Sequence, residues 1–325
     1  VKALVYRRYG GPDVLELAEV PQPQPREREV LVRVHAASIN AADRVLLRGK
    51  PFIIRLAMGF PRPRHPILGF DVAGRVESVG SGVTQFHAGD DVFGASNFGA
   101  FAELVSVNED RLVPKPAGVS FEAAAATPTA RSTALQGLRK GRITTGQKIL
   151  IDGASGGVGT FAIQIAQAYG AEVTAVCSTR NVETARWLGA ARVIDYRHED
   201  FTRDGRRYDL ILAANAYRPL SDYRRVLKPG GAYVMTGGGG VQILQAILLG
   251  ALVSVTSSRS MGNIMAVARQ NDLIVLKELL DTGKIRPVID RTVALSEVPD
   301  AIRYLEQEHA RGKIVVNVWT PPAAS

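Results

Sequence analysis

The stretch Ile149-Leu-Ile-Asp-Gly-Ala-Ser-Gly-Gly-Val-Gly159 runs from an apolar, strand-like segment into glycines, and Thr160-Phe-Ala-Ile-Gln-Ile-Ala-Gln-Ala-Tyr169 follows at once with a helix-like pattern. That order predicts a parallel strand, a tight turn and the first turn of a helix. Backbone N–H groups at such a helix start have no intrahelical acceptor, and the helix dipole favours an anion beside them. Gly153, Gly156 and Gly159 recur every third residue. Read as a dinucleotide fingerprint, Ala154 takes the first glycine position, Gly156 and Gly159 take the other two, and Ser155, Gly157 and Val158 fill the positions between. A turn that merely needs glycine is the alternative. The flanking strand and helix are the context that the fingerprint requires, so Gly153 through Gly159 is the expected cofactor-binding turn.

Outward from this turn, strands and helices alternate. Strand-like runs lie at 148–151, 172–176, 192–194, 209–213 and 232–235, and helix-like patterns at 158–169, 181–188 and 219–227. Ser120 is placed to cap a helix beginning Phe121-Glu-Ala-Ala-Ala-Ala. Alternation at this spacing predicts an α/β fold, a doubly wound parallel sheet with helices on both faces. Upstream the pattern differs. Glu29-Val-Leu-Val-Arg-Val-His35 alternates apolar and polar residues, and short strand-like runs recur at 72–79, 91–93 and 101–107 between Gly, Pro and Asp. These predict a small all-β, barrel-like domain. Residues 50–66 are apolar but carry Pro51, Pro61, Pro63 and Pro66, so they cannot be regular throughout. Beyond residue 261 come helices near 271–282 and 297–309 and a last strand over 313–318. The expected domains are therefore 1–118, 119–261 and a C-terminal segment 262–325.

A length of 325 residues fits two domains, and 46% hydrophobic with 22% charged residues is ordinary globular composition. The longest apolar patch, 246–253, is too short for a transmembrane helix. The start, Val1-Lys-Ala-Leu-Val-Tyr, reads as a strand and not as a signal peptide. One cysteine, Cys177, excludes an internal disulfide and a multi-cysteine zinc site, and a reducing cytoplasm is the simplest compartment. The net charge of +9 is spread along the chain without a helical basic stripe, which reads as solvated surface; neither nucleic acid nor membrane is an expected partner. No Gly-x-Ser-x-Gly elbow supports a hydrolase.

Seven motifs in one order now carry a resemblance: Ser38-Ile-Asn-Ala-Ala-Asp43, Pro66-Ile-Leu-Gly-Phe-Asp-Val-Ala-Gly74, Gly89-Asp-Asp-Val-Phe-Gly94, Gly99-Ala-Phe-Ala-Glu103, Thr133-Ala-Leu135, Gly153-Ala-Ser-Gly-Gly-Val-Gly159 and Leu227-Lys-Pro-Gly-Gly231. Over nearly its whole length the chain resembles the medium-chain dehydrogenase/reductase superfamily, in its zinc-free quinone oxidoreductase (zeta-crystallin-like) branch. The resemblance implies a GroES-like catalytic domain, a Rossmann domain and a C-terminal return to the first. Zinc-dependent members carry cysteine where this chain has Asn40, and histidine and glutamate where it has Phe70 and Asp71. No metal is therefore expected, and the missing Lewis acid points toward acceptors already activated by conjugation, namely quinones and α,β-unsaturated carbonyls.

The resemblance further assigns residues. Asn40 matches the family's asparagine in the catalytic cleft, where its amide would orient the nicotinamide ribose or a substrate carbonyl; an N-cap role is the alternative. Thr133 matches a threonine near the nicotinamide, against the alternative of back-bonding within its own helix. Lys313 and Asn317 match C-terminal positions brought back to the cofactor cleft, against a lysine facing solvent. Arg131 is unusual for the pattern: a surface residue, a pyrophosphate contact or a narrowing of the cleft.

From the residues themselves, no acid follows the second strand of the parallel domain; Cys177-Ser-Thr-Arg180 does. An acid there usually reads the 2′-hydroxyl of NAD, whereas Ser178 and Arg180 suit a 2′-phosphate. Tyr196 matches a tyrosine that relatives place against that phosphate. Gly237 and Gly238 open a four-glycine run that permits close backbone approach to the nicotinamide, or is a flexible loop. The expected function is hydride transfer from NADPH to a quinone or enone. Metal-free carbonyl or alcohol oxidoreduction, or a cofactor-binding structural protein without significant turnover, are the alternatives. The family resemblance and the apolar run 246–256, which could include an edge strand that pairs across a two-fold, lead to the expectation of a homodimer joined through the Rossmann domain.

Overall fold

The fold described below is that of a computed structural model, which describes residues 1–238, 242, 258–264, 266–307 and 310–319. The apolar run 246–256, on which the edge-strand expectation rested, lies outside the described residues. The chain divides into two compact units, Val1–Thr129 with Ala268–Gly283 and Pro287–Ser325, and Ala130–Val267 with Lys284–Arg286.

The second unit holds a sheet of six strands among the described residues. Its order is Arg192–Asp195, Glu172–Cys177, Lys148–Asp152, Tyr208–Ala213, Leu227–Met235 and Ser260–Asn263, and every neighbouring pair is parallel. In sequence terms that is 3-2-1-4-5-6, the doubly wound Rossmann arrangement. Parallel strands covered on both faces need continuous apolar runs, which Ile149-Leu-Ile151 and Leu210-Ile-Leu-Ala213 supply, all fully buried. The helix Gly157–Ala168 crosses from the first strand to the second, and its residues 159–166 are buried on every side. Strand order reverses between Lys148–Asp152 and Tyr208–Ala213, whose last residues Asp152 and Ala213 pair in register. Ligands of such sheets bind beyond the strand ends at this reversal.

The first unit is built around the long strand Glu29–Ile39. Its sheet runs Ile289–Ala294, Lys313–Asn317, Glu29–Ile39, Asp71–Val79, Asp91–Ala95 and Leu112–Pro114, with Leu104–Asn108 also pairing to Glu29–Ile39. All contacts are antiparallel except that between Ile289–Ala294 and Lys313–Asn317, which the helix Val298–Gln307 connects as a crossover. This is the GroES-like half. The C-terminal strand is inserted beside Glu29–Ile39 with Ile314 opposite Ile39.

The boundaries differ from 118 and 261 for packing reasons. Ala124, Ala125 and Ala126 bury against Ala36, Ala73 and Phe93, so the first unit continues to Thr129. Ser260–Asn263 completes the parallel sheet, and only after it does Gln270–Asp281 bring Leu273, Leu276 and Leu280 onto the same barrel core.

Candidate functional site

In the first unit, strand register generates a buried polar cluster. With Ile314 opposite Ile39, Lys313 falls beside Asn40 at the strand end. Lys313 Nζ donates to Asn40 Oδ1 at 2.6 Å and lies 3.2 Å from Asp71 Oδ2. Asp71 Oδ2 also accepts from Ser38 Oγ at 2.7 Å and Asn40 Nδ2 at 3.0 Å, while Oδ1 accepts from the Thr129 backbone N–H at 2.8 Å and hydroxyl at 2.5 Å. The Lys313 and Asp71 side chains are 4% and 0% exposed, so this is an ion pair removed from water. Buried charges persist only when paired and hydrogen-bonded, and every oxygen of Asp71 is so engaged.

Asn40 does stand at the N-cap of the helix Ala41–Arg48, but its amide turns toward Lys313 and Asp71. The carboxylate that serves the helix start is Asp43, which accepts the backbone N–H groups of Asn40 at 2.8 Å and Gly69 at 3.0 Å. An ammonium and an amide thus converge, and the amide's polarity is fixed: Asn40 Oδ1 faces a cation and its NH2 faces an anion. Lys313 has a third N–H beyond these two acceptors. Asn317 is not brought to this cluster. It lies four residues further along the strand, opposite Ala36, roughly 13 Å away by strand rise.

In the second unit, the turn after Lys148–Asp152 has the expected form. Gly153 adopts φ +76°, and a Cβ there would meet the Asn215 backbone N at 2.8 Å. A Cβ on Gly159 would meet Gly153 O at 2.2 Å and Ala154 Cα at 2.6 Å, so the third glycine lets the helix pack onto its own turn. Gly156 is different. Only Gly153 O, at 3.6 Å, comes within reach of a Cβ there, leaving that face of the turn open. Gly156 is also the N-cap of Gly157–Ala168, without a side-chain cap. Ser155, Gly157 and Val158 are half-buried along the same turn. Uncapped N–H groups and an open backbone face are what a pyrophosphate requires.

Ser178, Arg180 and Tyr196 gather at the end of Glu172–Cys177. Tyr196 N donates to Cys177 O at 3.1 Å, and its ring, 44% exposed, lies 5.9 Å from that of Tyr217. Ser178 is buried and accepts from Asn181 Nδ2 at 3.0 Å; Arg180 is exposed. An acid, missed in the sequence, does stand close by: Asp195, in register with Cys177. The Thr179 hydroxyl holds its carboxyl below the usual range, and the Arg197 N–H binds it at 3.0 Å. Its oxygens are engaged within the protein.

The remaining residues are placed by helix packing. A Cβ on Gly141 would meet Leu210, and one on Gly137 would meet Leu212 and Thr236, so Pro128–Lys140 runs antiparallel to the strand Tyr208–Ala213. One turn earlier, half-buried Thr133 reaches the carboxyl edge of the sheet. Gly237 and Gly238 are there too, held against the loop 214–216: Ala216 N donates to Gly237 O at 2.9 Å. Cβ atoms on the two glycines would strike Ala214 O and Ala216 O at 2.4 and 2.8 Å, so close chain approach already demands glycine at both. Arg131 is fully buried, which removes the surface reading.

Residues 26–117 match the family model described as alcohol dehydrogenase GroES-like domain, and residues 188–316 that described as zinc-binding dehydrogenase. NADPH-dependent alkenal/one oxidoreductase, chloroplastic, from Arabidopsis thaliana is 36% identical, over 97% of this chain and 79% of its own length. The chain belongs to the medium-chain dehydrogenase/reductase superfamily, in its zinc-free quinone oxidoreductase branch. The quinone oxidoreductase of Coxiella burnetii superposes with a TM-score of 0.88 at 32% identity, covering 98% of this chain and 99% of that one. The Escherichia coli quinone oxidoreductase solved in complex with NADPH gives 0.84 at 26% identity, over 98% and 100%. One family description names zinc, but the donors here do not suit that ion. Phe70 has no donor atom, the Asp71 oxygens are filled by Lys313, Asn40, Ser38 and Thr129, and no three His, Cys, Asp or Glu are grouped to hold a metal among the described residues.

Asp152, immediately before the glycine turn, is buried beneath it and accepts a short hydrogen bond from Tyr223 Oη. Burial pushes both the Asp152 and the Asp43 carboxyls up to about 7. An unfolded aspartate titrates near about 3.9, so between about pH 4 and pH 7 the native state holds protons that the unfolded chain has released. Stability from these groups is present at low pH and is lost as pH rises through about 7. Asp152→Asn keeps an oxygen for Tyr223 and removes one such proton. Urea unfolding of the variant between about pH 5 and pH 7 should show stability falling less steeply, by about 1.4 kcal/mol per pH unit. An unchanged slope would contradict the assignment.

Proposed function

We propose that this chain reduces quinones or α,β-unsaturated carbonyls with NADPH, without a metal. The observation that carries the reading is the Lys313–Asn40–Asp71 cluster: a fixed ammonium and an oriented amide occupy the place where zinc-dependent relatives hold their metal. An ammonium donates hydrogen bonds but does not coordinate an alkoxide as zinc does, so it suits an acceptor whose conjugation already lowers the barrier. The names of relatives, one an alkenal/one oxidoreductase and others quinone oxidoreductases, support the same chemistry.

NADPH, when bound, supplies the hydride. The chain's own part is to hold and orient. Gly153, Ala154, Ser155, Gly156, Gly157, Val158 and Gly159 present the turn for the pyrophosphate, and Ser178, Arg180 and Tyr196 take the 2′-phosphate. Thr133, Gly237 and Gly238 line the carboxyl edge of the sheet on the nicotinamide side. Asn40 serves the nicotinamide ribose or the acceptor carbonyl, with Lys313 fixing its amide. The family's role for Asn317 has weaker support, given its distance from Lys313 along the strand. No helix among the described residues is long and apolar enough to cross a membrane. The location we propose is a reducing compartment such as the cytoplasm. A homodimer is the assembly we propose from the family; light scattering showing a stable monomer at assay concentration would contradict it.

Turnover across a panel of acceptors tests the reaction class. Quinones and enones should be reduced with NADPH, and primary alcohols with NADP+ should be poor substrates. Faster oxidation of simple alcohols than reduction of every conjugated acceptor would overturn the reading.

Cofactor choice tests the phosphate site. A hydrogen bond from a charged donor contributes roughly 1.5–3 kcal/mol, so NADPH should bind about ten- to a hundredfold more tightly than NADH. Arg180→Glu should weaken NADPH and leave NADH nearly unchanged in calorimetric titrations. Equal losses for both cofactors would remove Arg180 from the 2′-phosphate.

A further inference from the structure

Between Asp43 and Asp71 the chain carries no Asp or Glu, yet it carries Arg44, Arg48, Lys50, Arg55, Arg62 and Arg64. Within the segment two cations are engaged in the fold. Arg48 forms a two-pronged pair with Glu306 at 2.6 Å, and Arg55 donates to Gly49 O at 3.1 Å and lies over the Tyr9 ring. Lys50, Arg62 and Arg64 are exposed and form no ion pair among the described residues.

The same segment exposes its large apolar side chains. Phe52 is 55% exposed, Ile53 65%, Leu56 55% and Phe60 63%. They form one patch. Ile53 and Leu56 lie three residues apart in the short helix Ile53–Met58, and the rings of Phe52 and Phe60 meet edge to face at 5.6 Å. The patch is braced from beneath: Tyr9 Oη donates to Gly59 O at 2.7 Å, and Arg64 N to Met58 O at 2.8 Å. Aromatic and branched apolar groups in water, rimmed by cations with no acid between them, match an anionic lipid interface in both chemistry and charge. A nucleic acid would use the cations and leave the aliphatic groups uncovered; a second copy of this patch would set like charges against each other.

We propose that the face formed by residues 50–64 docks the protein on an anionic bilayer surface, with Phe52, Ile53, Leu56 and Phe60 entering the interface and Lys50, Arg62 and Arg64 meeting lipid headgroups. Docking of this kind needs no spanning helix, and it replaces the reading of these cations as plain solvated surface. It stands on the patch alone, whether or not the reaction class is right.

Sedimentation of the protein with vesicles tests it. The protein should pellet with phosphatidylcholine–phosphatidylglycerol vesicles, pellet far less with phosphatidylcholine alone, and be released by salt. Arg62→Gln with Arg64→Gln should lower the partition coefficient roughly thirtyfold, from the usual contribution of a cation near an anionic surface. Phe52→Ser with Phe60→Ser should lower it at least about tenfold at unchanged charge. Circular dichroism checks that both variants fold; if the phenylalanine pair does not, Ile53→Ser with Leu56→Ser replaces it. Three results would overturn the proposal: no binding to anionic vesicles, binding that the variants leave intact, or variants that change the KM for a water-soluble quinone or the mass in light scattering without changing vesicle binding. The last would make the patch a cover for the acceptor or a contact between copies.

Discussion

An ion pair without water governs the catalytic half of this protein. Moving an ammonium and a carboxylate into the interior costs several kcal/mol per ion, which only tight mutual pairing and added hydrogen bonds offset. The fold supplies both by register. One strand enters from the C-terminus beside Glu29–Ile39 and sets Lys313 at Asn40, and the first residue of the next strand is Asp71. Ser38 and Thr129 then fill the remaining carboxylate sites. Loss of either charge would strand the other and cost about 3–5 kcal/mol. The pair therefore ties the C-terminal return, the barrel sheet and the start of the helix Pro128–Lys140 to one point.

The nucleotide half obeys a different constraint, close approach of backbone. Gly159 packs on the carbonyl of Gly153, and Gly153 on Asn215, so the turn and the loop after the fourth strand interlock. Because those contacts consume the space at two of the glycines, the open face of the turn lies at Gly156. The buried Asp152–Tyr223 contact stiffens the turn from below. A rigid, uncapped helix start loses little entropy when an anion binds, which is how a scaffold converts geometry into affinity.

Much of this was legible in the sequence. Apolar runs identified five strands of the parallel sheet, because buried parallel strands must be apolar throughout, but not Ser260–Asn263, whose Ser-Met-Gly-Asn carries no such run. Asn40 and Lys313 were singled out, yet nothing in a linear pattern shows that residues so far apart share a hydrogen bond; register decides it. Asp71 enters the sequence reading only as a replaced metal ligand, and its part as the hub follows from the four residues that donate to it. Asp195 escaped notice because it follows the third strand and not the second, although pairing with Cys177 sets the two strand ends side by side. The division into units shifted from residue 118 to Thr129 since three small alanines carry the packing, a weak signal by composition alone.

The proposed reduction of a conjugated acceptor adds hydride at the far end of the conjugated system, with the carbonyl oxygen receiving hydrogen bonds and no coordination. The position at which hydride arrives is therefore the most direct test. Reduction of an unsymmetrical enone with NADPH deuterated on the nicotinamide, followed by NMR of the product, reads it out. The account predicts deuterium at the β-carbon of a saturated ketone. Deuterium at the carbonyl carbon of an allylic alcohol would contradict it.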